Sequence, residues 1–376
     1  MPKWKIGVIK MLAKGKRIKS KDIRNILLIQ LGDIGDVVWA TPTLRAVKET
    51  YPKANVSVLL REPIGLLLEA DPHIYRIFEV KRYKRNLLRK IKGQYRLLKA
   101  LHRERFDLVF DLRLDDRGAF MAFLSGAPVR VAITYPNVLW RNRLFTHIVV
   151  PPAPKERIFG AAEQSLRLVR EFGIDTKDTT PKLWVSEKAK IKAEKLLNGD
   201  NITPFRRWVT LNPFSRWQYK EWEHGKWVHV VDWLWEEYGI PTVMVGAPEE
   251  REKAINIASQ CKGKIYNFAG KTTLDELAAV LRLSGLHVGV DSAPPHIAAA
   301  VNTPTITIYG PSDWRDWAPR GELHSVVTPD RDCVPCHQKG CDGSGTSKCF
   351  ETLSVDKVKR AIRIFLENSL CINREC

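Results

Sequence analysis

Apolar and polar residues follow two periods along this chain. Short runs in which nearly every position is apolar mark strands buried on both faces, and they alternate with longer stretches whose apolar residues recur three and four apart, as in helices packed on one side. In the first half, residues 25–31 (NILLIQL) predict a buried strand, residues 32–36 a turn and residues 37–51 a helix. Further strands are predicted at residues 55–60, 106–112 (FDLVFDL) and 129–133, with a helix at residues 161–172. The second half repeats the alternation: strands at residues 208–212, 241–246, 265–268, 286–290 and 305–309, and helices at residues 225–238, 249–260, 274–284, 294–301 and 354–368. Strand and helix in turn predict an α/β protein of two doubly wound parallel sheets, whose ligands bind outside the carboxyl ends of the strands, here in a cleft between the domains. The polar stretch at residues 173–181 suggests a boundary. The predicted organisation is a basic extension over residues 1–22, a first domain over 23–178, a second over 179–350, and a C-terminal helix and tail over 351–376.

The length of 376 residues suits two full-sized domains, and 44% hydrophobic with 27% charged residues excludes a disordered or low-complexity polymer. No apolar run approaches the ~18–20 residues of a membrane span, and lysines occupy the N-terminus where a signal peptide would have an apolar centre. A cytoplasmic protein is expected. The net charge of +19 is unevenly placed, being +17 over residues 1–180 and +2 over residues 181–376. The first half is therefore expected to meet something anionic, whether nucleic acid, a membrane surface or a phosphorylated substrate. Two segments concentrate the charge. Residues 1–21 interleave lysines with Trp4, Ile6, Val8 and Ile9, as a tail or a lipid-surface segment would, and residues 81–105 carry 11 Lys or Arg against Glu104 with apolar residues near helical spacing. Lys81, Arg82, Lys84 and Arg85 open this second segment.

Four strand-end loops carry candidate chemistry. In Leu31-Gly32-Asp33-Ile34-Gly35-Asp36 the third glycine of a dinucleotide fingerprint is missing, and no Walker lysine follows. Asp36 reads either as a helix cap or as a catalytic base. The loop at residues 213–222 (PFSRWQYKEW) sets Arg216 and Lys220 among aromatics, where cations could hold phosphates. At Gly246-Ala247-Pro248-Glu249-Glu250 the acids either complement a helix dipole or bind a ribose. In Asp291-Ser292-Ala293-Pro294-Pro295-His296 a helix start directly after a buried strand suggests a diphosphate site, with His296 one turn in.

Taken in order, these loops resemble glycosyltransferase family 9, the lipopolysaccharide heptosyltransferases and their relatives. The resemblance rests on LGDIGDVVWATP at residues 31–42, on residues 212–222, 245–250 and 291–300, and on Tyr309-Gly310-Pro311-Ser312. It implies a GT-B fold of two Rossmann-like domains, the first receiving the acceptor and the second the nucleotide sugar. It also implies an inverting, metal-independent transfer of heptose from ADP-heptose to an anionic lipopolysaccharide core, with peripheral contact at the inner face of the inner membrane and no nucleic acid as partner. Asp36 would be the general base and Lys220 would meet the donor phosphates. Glu250 would hold the ribose and Thr272 would lie near the adenine. Asp291, Ser292 and Ala293 would line the diphosphate and sugar, with His296 beside them. Lys81, Arg82, Lys84 and Arg85 are expected to meet the acceptor. Ala293 stands where several heptosyltransferases have glycine, which narrows the space near the donor sugar. Two other readings are another nucleotide sugar on the same fold, used for a different surface glycan, and a nucleic-acid-binding protein acting through its basic half.

Seven cysteines remain. Cys333, Cys336, Cys341 and Cys349 form a C-x2-C-x4-C-x7-C pattern. Such a set could hold a structural zinc ion, the alternative being reduced thiols, and the resemblance gives the cluster no catalytic role.

Overall fold

The computed structural model describes residues 12–14, 23–81, 87–113, 115–134, 139–150, 161–202 and 207–372. The chain divides into two compact units, residues 1–181 and 182–376. The division lies three residues beyond the expected boundary because the Arg45 guanidinium donates to the carbonyls of Asp178 and Thr180, tying this stretch to the first unit.

The strands of the first unit are β1 (Leu12–Lys14), β2 (Asn25–Ile29), β3 (Asn55–Arg61), β4 (Arg76–Val80), β5 (Leu108–Asp111), β6 (Val129–Ile133) and β7 (His147–Val149). Its helices are α1 (Ile34–Thr50), α2 (Leu87–Arg103), α3 (Asp116–Leu124), α4 (Leu139–Leu144) and α5 (Glu163–Arg170). The sheet order is β1-β7-β6-β5-β2-β3-β4, parallel except where β1 pairs antiparallel with β7. Part of the expected N-terminal extension is thus an edge strand, Leu12 opposite Val149. The centre of the sheet is apolar on both faces: Ile26, Leu27, Leu28 and Ile29 are at most 1% exposed. Helix α1 begins three residues earlier than the periodicity suggests. Asp33 is its N-cap, and Asp36, at the third helical position, accepts from the Asp33 amide at 2.7 Å to close a capping box.

The second unit holds β8 (Val209–Asn212), β9 (Thr242–Met244), β10 (Ile265–Asn267), β11 (Leu286–Val290), β12 (Thr305–Ile308) and β13 (His324–Val327) in the all-parallel order β10-β9-β8-β11-β12-β13. Its helices are α6 (Glu187–Gly199), α7 (His224–Tyr238), α8 (Arg251–Gln260), α9 (Leu274–Leu283), α10 (Ala293–Ala300), α11 (Trp314–Trp317), α12 (Cys349–Thr352) and α13 (Val355–Ile372). Helix α13 does not form a separate tail: Val358, Ile362 and Leu366 join Trp227, Val230 and Leu234 of α7 in the core of this unit. Apart from β1, both sheets have the Rossmann order, with the direction of winding reversing between β2 and β5 in one and between β8 and β11 in the other. Loops leaving the carboxyl ends of those central strands diverge, and the gap they leave is where such sheets take ligands.

Candidate active site

In the first unit, three neighbouring strands deliver an alternating cluster of charges. Asp33 and Asp36 follow β2, Arg113 follows β5, and Arg61 ends β3. Arg113 Nη1 pairs with Asp36 Oδ2, Arg61 Nη2 pairs with Asp33 Oδ1, and Arg61 Nε donates to the Gly32 carbonyl at 2.9 Å. Gly32 is required by close approach: a Cβ there would stand 2.5 Å from Asp36 Cβ and 2.8 Å from Arg113 Nη1. The Asp36 side chain is 17% exposed and that of Asp33 52%, so Asp36 is the more enclosed of the two carboxylates. Burial pushes the Asp36 carboxyl above the usual aspartate range, opposed chiefly by the Arg113 charge and the Asp33 amide. Asp36 thus closes the capping box and is also the carboxylate whose proton affinity burial raises.

The second unit repeats the arrangement at its own switch point. Lys220 follows β8, Asp291 follows β11, and Glu250 follows β9, again three adjacent strands. The loop bearing Lys220 is pinned at both ends by buried aromatics. Phe214 is 1% exposed, and Trp222, also 1% exposed, meets Trp227 edge to face at 4.9 Å. Between them Glu221 Oε1 accepts the Ser215 amide at 3.0 Å, closing the loop on itself. Lys220 Nζ is held 2.6 Å from Asp291 Oδ2, with side-chain exposures of 20% and 7%. Asn212, at the end of β8, ties in the strands on either side. Its Nδ2 donates to the Val245 carbonyl at 3.1 Å, and its Oδ1 accepts from Ser292 Oγ at 2.7 Å.

Ser292 is the N-cap of α10, which begins with Ala293. The helix end is a sparser anion site than its position suggests, because Pro294 and Pro295 bring no N–H and leave the amides of Ala293 and His296 as the first-turn donors. His296 is buried and brings no cation: burial depresses its pKa to about 4, with Asp291 opposing and Lys220 reinforcing the shift. Behind Asp291 lies Tyr309, fully buried, whose hydroxyl has no hydrogen-bond partner among the described residues. Burial and the Asp291 charge push its pKa well above that of an ordinary phenol. Glu250 accepts the Ala247 amide on Oε2 at 2.7 Å, and burial pushes its carboxyl up. Thr272 is half-buried just before Thr273, the N-cap of α9, on the far side of β9 from Lys220.

Of the residues expected to meet the acceptor, Lys81 is exposed and pairs with Glu62 at 3.5 Å, whereas Arg82, Lys84 and Arg85 lie outside the described residues. The zinc expectation is not met in this geometry. Cys333, Cys336, Cys341 and Cys349 are free thiols, and among the described residues no three His, Cys, Asp or Glu side chains are arranged to hold a metal ion. Ordinary contacts hold the segment instead. The His337 amide donates to the Pro311 carbonyl at 2.7 Å, Ser347 Oγ to the Tyr219 carbonyl at 2.7 Å, and the Phe350 ring packs on Gly310. Cys349 is buried, which together with the three neighbouring thiols pushes its pKa up to about 11.

Arg113, Arg61 and Asn212 are the site residues that periodicity alone passes over. Each sits at the carboxyl end of a central strand, so the strand order, once known, is the signal that finds them.

Residues 94–346 match the model of glycosyltransferase family 9 (heptosyltransferase). Lipopolysaccharide heptosyltransferase 3 of Escherichia coli is 30% identical over 295 residues, 76% of this chain and 84% of the relative. Two solved structures share the fold. The family 9 glycosyl transferase from Veillonella parvula has a TM-score of 0.79 at 20% identity, covering 92% of this chain and 98% of its own. ADP-heptose LPS heptosyltransferase II of E. coli has a TM-score of 0.73 at 21% identity, covering 92% and 99%. With these matches across most of its length and two Rossmann-ordered sheets of the GT-B type, the chain belongs to glycosyltransferase family 9 and is a glycosyltransferase.

Proposed function

We propose that the enzyme transfers heptose from ADP-heptose to a hydroxyl of an anionic lipopolysaccharide core, with inversion and without a divalent metal. The observation that carries this reading is the division of chemistry between the two switch points. One holds a carboxylate whose basicity is raised by burial, the other a cation beside a helix start. Asp36 takes the proton of the acceptor hydroxyl as its oxygen bonds to the anomeric carbon, and the bond from that carbon to the diphosphate breaks with its electron pair leaving on ADP. Lys220 and the α10 amides offset the charge that develops on the diphosphate, the role a metal fills in other transferases. Asp291 holds Lys220 in place until the donor arrives, and Ser292, Ala293 and the neutral His296 line the diphosphate and sugar. Glu250 keeps Oε1 for the ribose hydroxyls, and Thr272 lies towards the adenine. Lys81, Arg82, Lys84 and Arg85 meet the phosphates of the acceptor. The relatives named for lipopolysaccharide and for ADP-heptose support this choice of acceptor and donor.

Nucleotide-dependent thermal stabilisation tests the donor. A ligand at about 100 times its Kd adds about 2.7 kcal/mol to the native state, which at about 2–4 °C per kcal/mol is a rise of roughly 5–10 °C. ADP and ADP-heptose are expected to produce it with chelator present, the sugar nucleotide more strongly. A rise with UDP or GDP alone, or a rise that needs a divalent ion, would overturn the donor or the metal-free reading respectively.

A further inference from the structure

Helix α2 turns apolar side chains to solvent. Leu88, Ile91 and Tyr95 are 80%, 58% and 62% exposed, and their spacing places them in one stripe. Further along the helix, Leu97, Leu98 and Leu101 pack on the core of the first unit, Leu98 continuing the line of the stripe where it turns inward. Leu87–Arg103 carries six Lys or Arg and no acid. Alongside the stripe, α2 and the end of β4 border an open groove of about 580 Å³ lined by Lys81, Arg89, Lys92, Arg96, Leu97 and Glu79. The one acid is engaged inward, accepting the Gly65 amide at 2.9 Å. The groove shares no residue with the Asp36 cluster.

Charge decides what can cover this face. The N-terminal extension cannot, since residues 1–21 carry eight Lys or Arg and no acid. A second copy of α2 would bring like charge against like. Nucleic acid would answer the cations and leave Leu88, Ile91 and Tyr95 in water. An apolar stripe beside a cationic one matches the boundary of a bilayer, where acyl chains lie beneath anionic phosphates.

We propose that α2 and the groove beside it dock the enzyme on a bilayer of anionic phospholipid, with Leu88, Ile91 and Tyr95 entering the headgroup boundary and Arg89, Lys92 and Arg96 holding lipid phosphates. The docking is independent of the donor and acceptor assignments, and its test uses neither. The full chain is sedimented with vesicles of phosphatidylcholine alone or with one third phosphatidylglycerol. Binding is expected to the anionic vesicles only, and to weaken as salt rises from about 0.1 M to about 0.5 M. The apolar variant L88S/I91S/Y95S is expected to bind at least about tenfold more weakly, and R89Q/K92Q/R96Q about a hundredfold. Both should keep the melting temperature of the unaltered protein, since the substituted side chains contribute to solvent-facing surface. Equal binding to neutral vesicles, undiminished binding by either variant, or loss of all binding on deleting residues 1–21 alone would overturn the proposal. So would binding to duplex nucleic acid at the expense of vesicles that L88S/I91S/Y95S leaves unchanged.

Discussion

If Asp36 is the base, its proton affinity should be adjustable through Arg113 without touching Asp36 itself. Burial raises the Asp36 pKa and Arg113 is the largest opposing influence, ahead of the Asp33 amide and of Arg61. Arg113→Met removes the charge and keeps an apolar stem of similar reach. An opposite charge in contact lowers a carboxylate pKa by about 1–3 units. With the Arg113 side chain 38% exposed, solvent screening places the effect at the low end, about one unit. The acid limb of kcat/KM, where Asp36 must be ionised, should move up by that amount. At the midpoint of the unaltered enzyme's limb, the variant should then be about fivefold slower, while the alkaline plateaus stay together. Arg61→Met supplies the comparison: its guanidinium pairs with Asp33 and bears on Asp36 less, so its shift should be smaller. The assay is transfer rate against pH at low donor concentration. A limb that stays put in R113M, or moves further in R61M, would show that the titrating base is another group.

Three further outcomes follow from the second unit. Lys220→Met leaves the 7%-exposed Asp291 side chain without its cation, which should lower stability by about 1–3 kcal/mol and remove stabilisation by ADP; the double variant K220M/D291N should recover the melting temperature but not the ADP response. Tyr309→Phe deletes a buried hydroxyl that lacks a partner among the described residues and should leave stability unchanged or higher, checked by urea unfolding. His296 and His287, with pKa values depressed by burial to about 4 and about 3, bind protons in the unfolded chain near pH 6.5 but in the folded one only below these values. The unfolded state therefore gains protons first as pH falls, so stability should drop from about pH 6.5 down to about pH 3–4, and drop less steeply in H296Q, where His287 alone remains, read from melting temperature against pH.

The central strands were legible because burial on both faces leaves an unbroken apolar run: NILLI and LHVGV stand out without reference to any other part of the chain. The edges were not. β4 (RIFEV) and β13 (HSVV) mix polar residues into short strands, as edges exposed on one side can, and β7 has three residues. Helix α1 was misplaced at its start because Ile34 and Gly35 look like a turn until Asp33 is recognised as the cap that Asp36 completes. The site was legible as loops and illegible as pairs. Asp36 and Arg113 are 77 residues apart, Lys220 and Asp291 are 71, and only the order β5-β2 and β8-β11 brings each pair to one strand end. The cysteine pattern left zinc and reduced thiols both open for the converse reason. Spacing that suits a metal says nothing of whether the backbone between the thiols brings them into ligand geometry, and here backbone and packing contacts hold the segment.

The most direct measurement is transfer of labelled heptose from ADP-heptose to heptose-deficient lipopolysaccharide core, by the unaltered enzyme and by Asp36→Asn side by side, with melting temperatures taken on the same samples. The amide preserves the acceptor of the Asp33 N–H and removes a charge that burial disfavours. The account predicts transfer by the unaltered enzyme in the presence of chelator, a loss of about 10²–10⁴-fold in D36N, and a melting temperature at pH 7 that does not fall. Transfer retained by D36N, or no transfer of heptose by the unaltered enzyme, would contradict it.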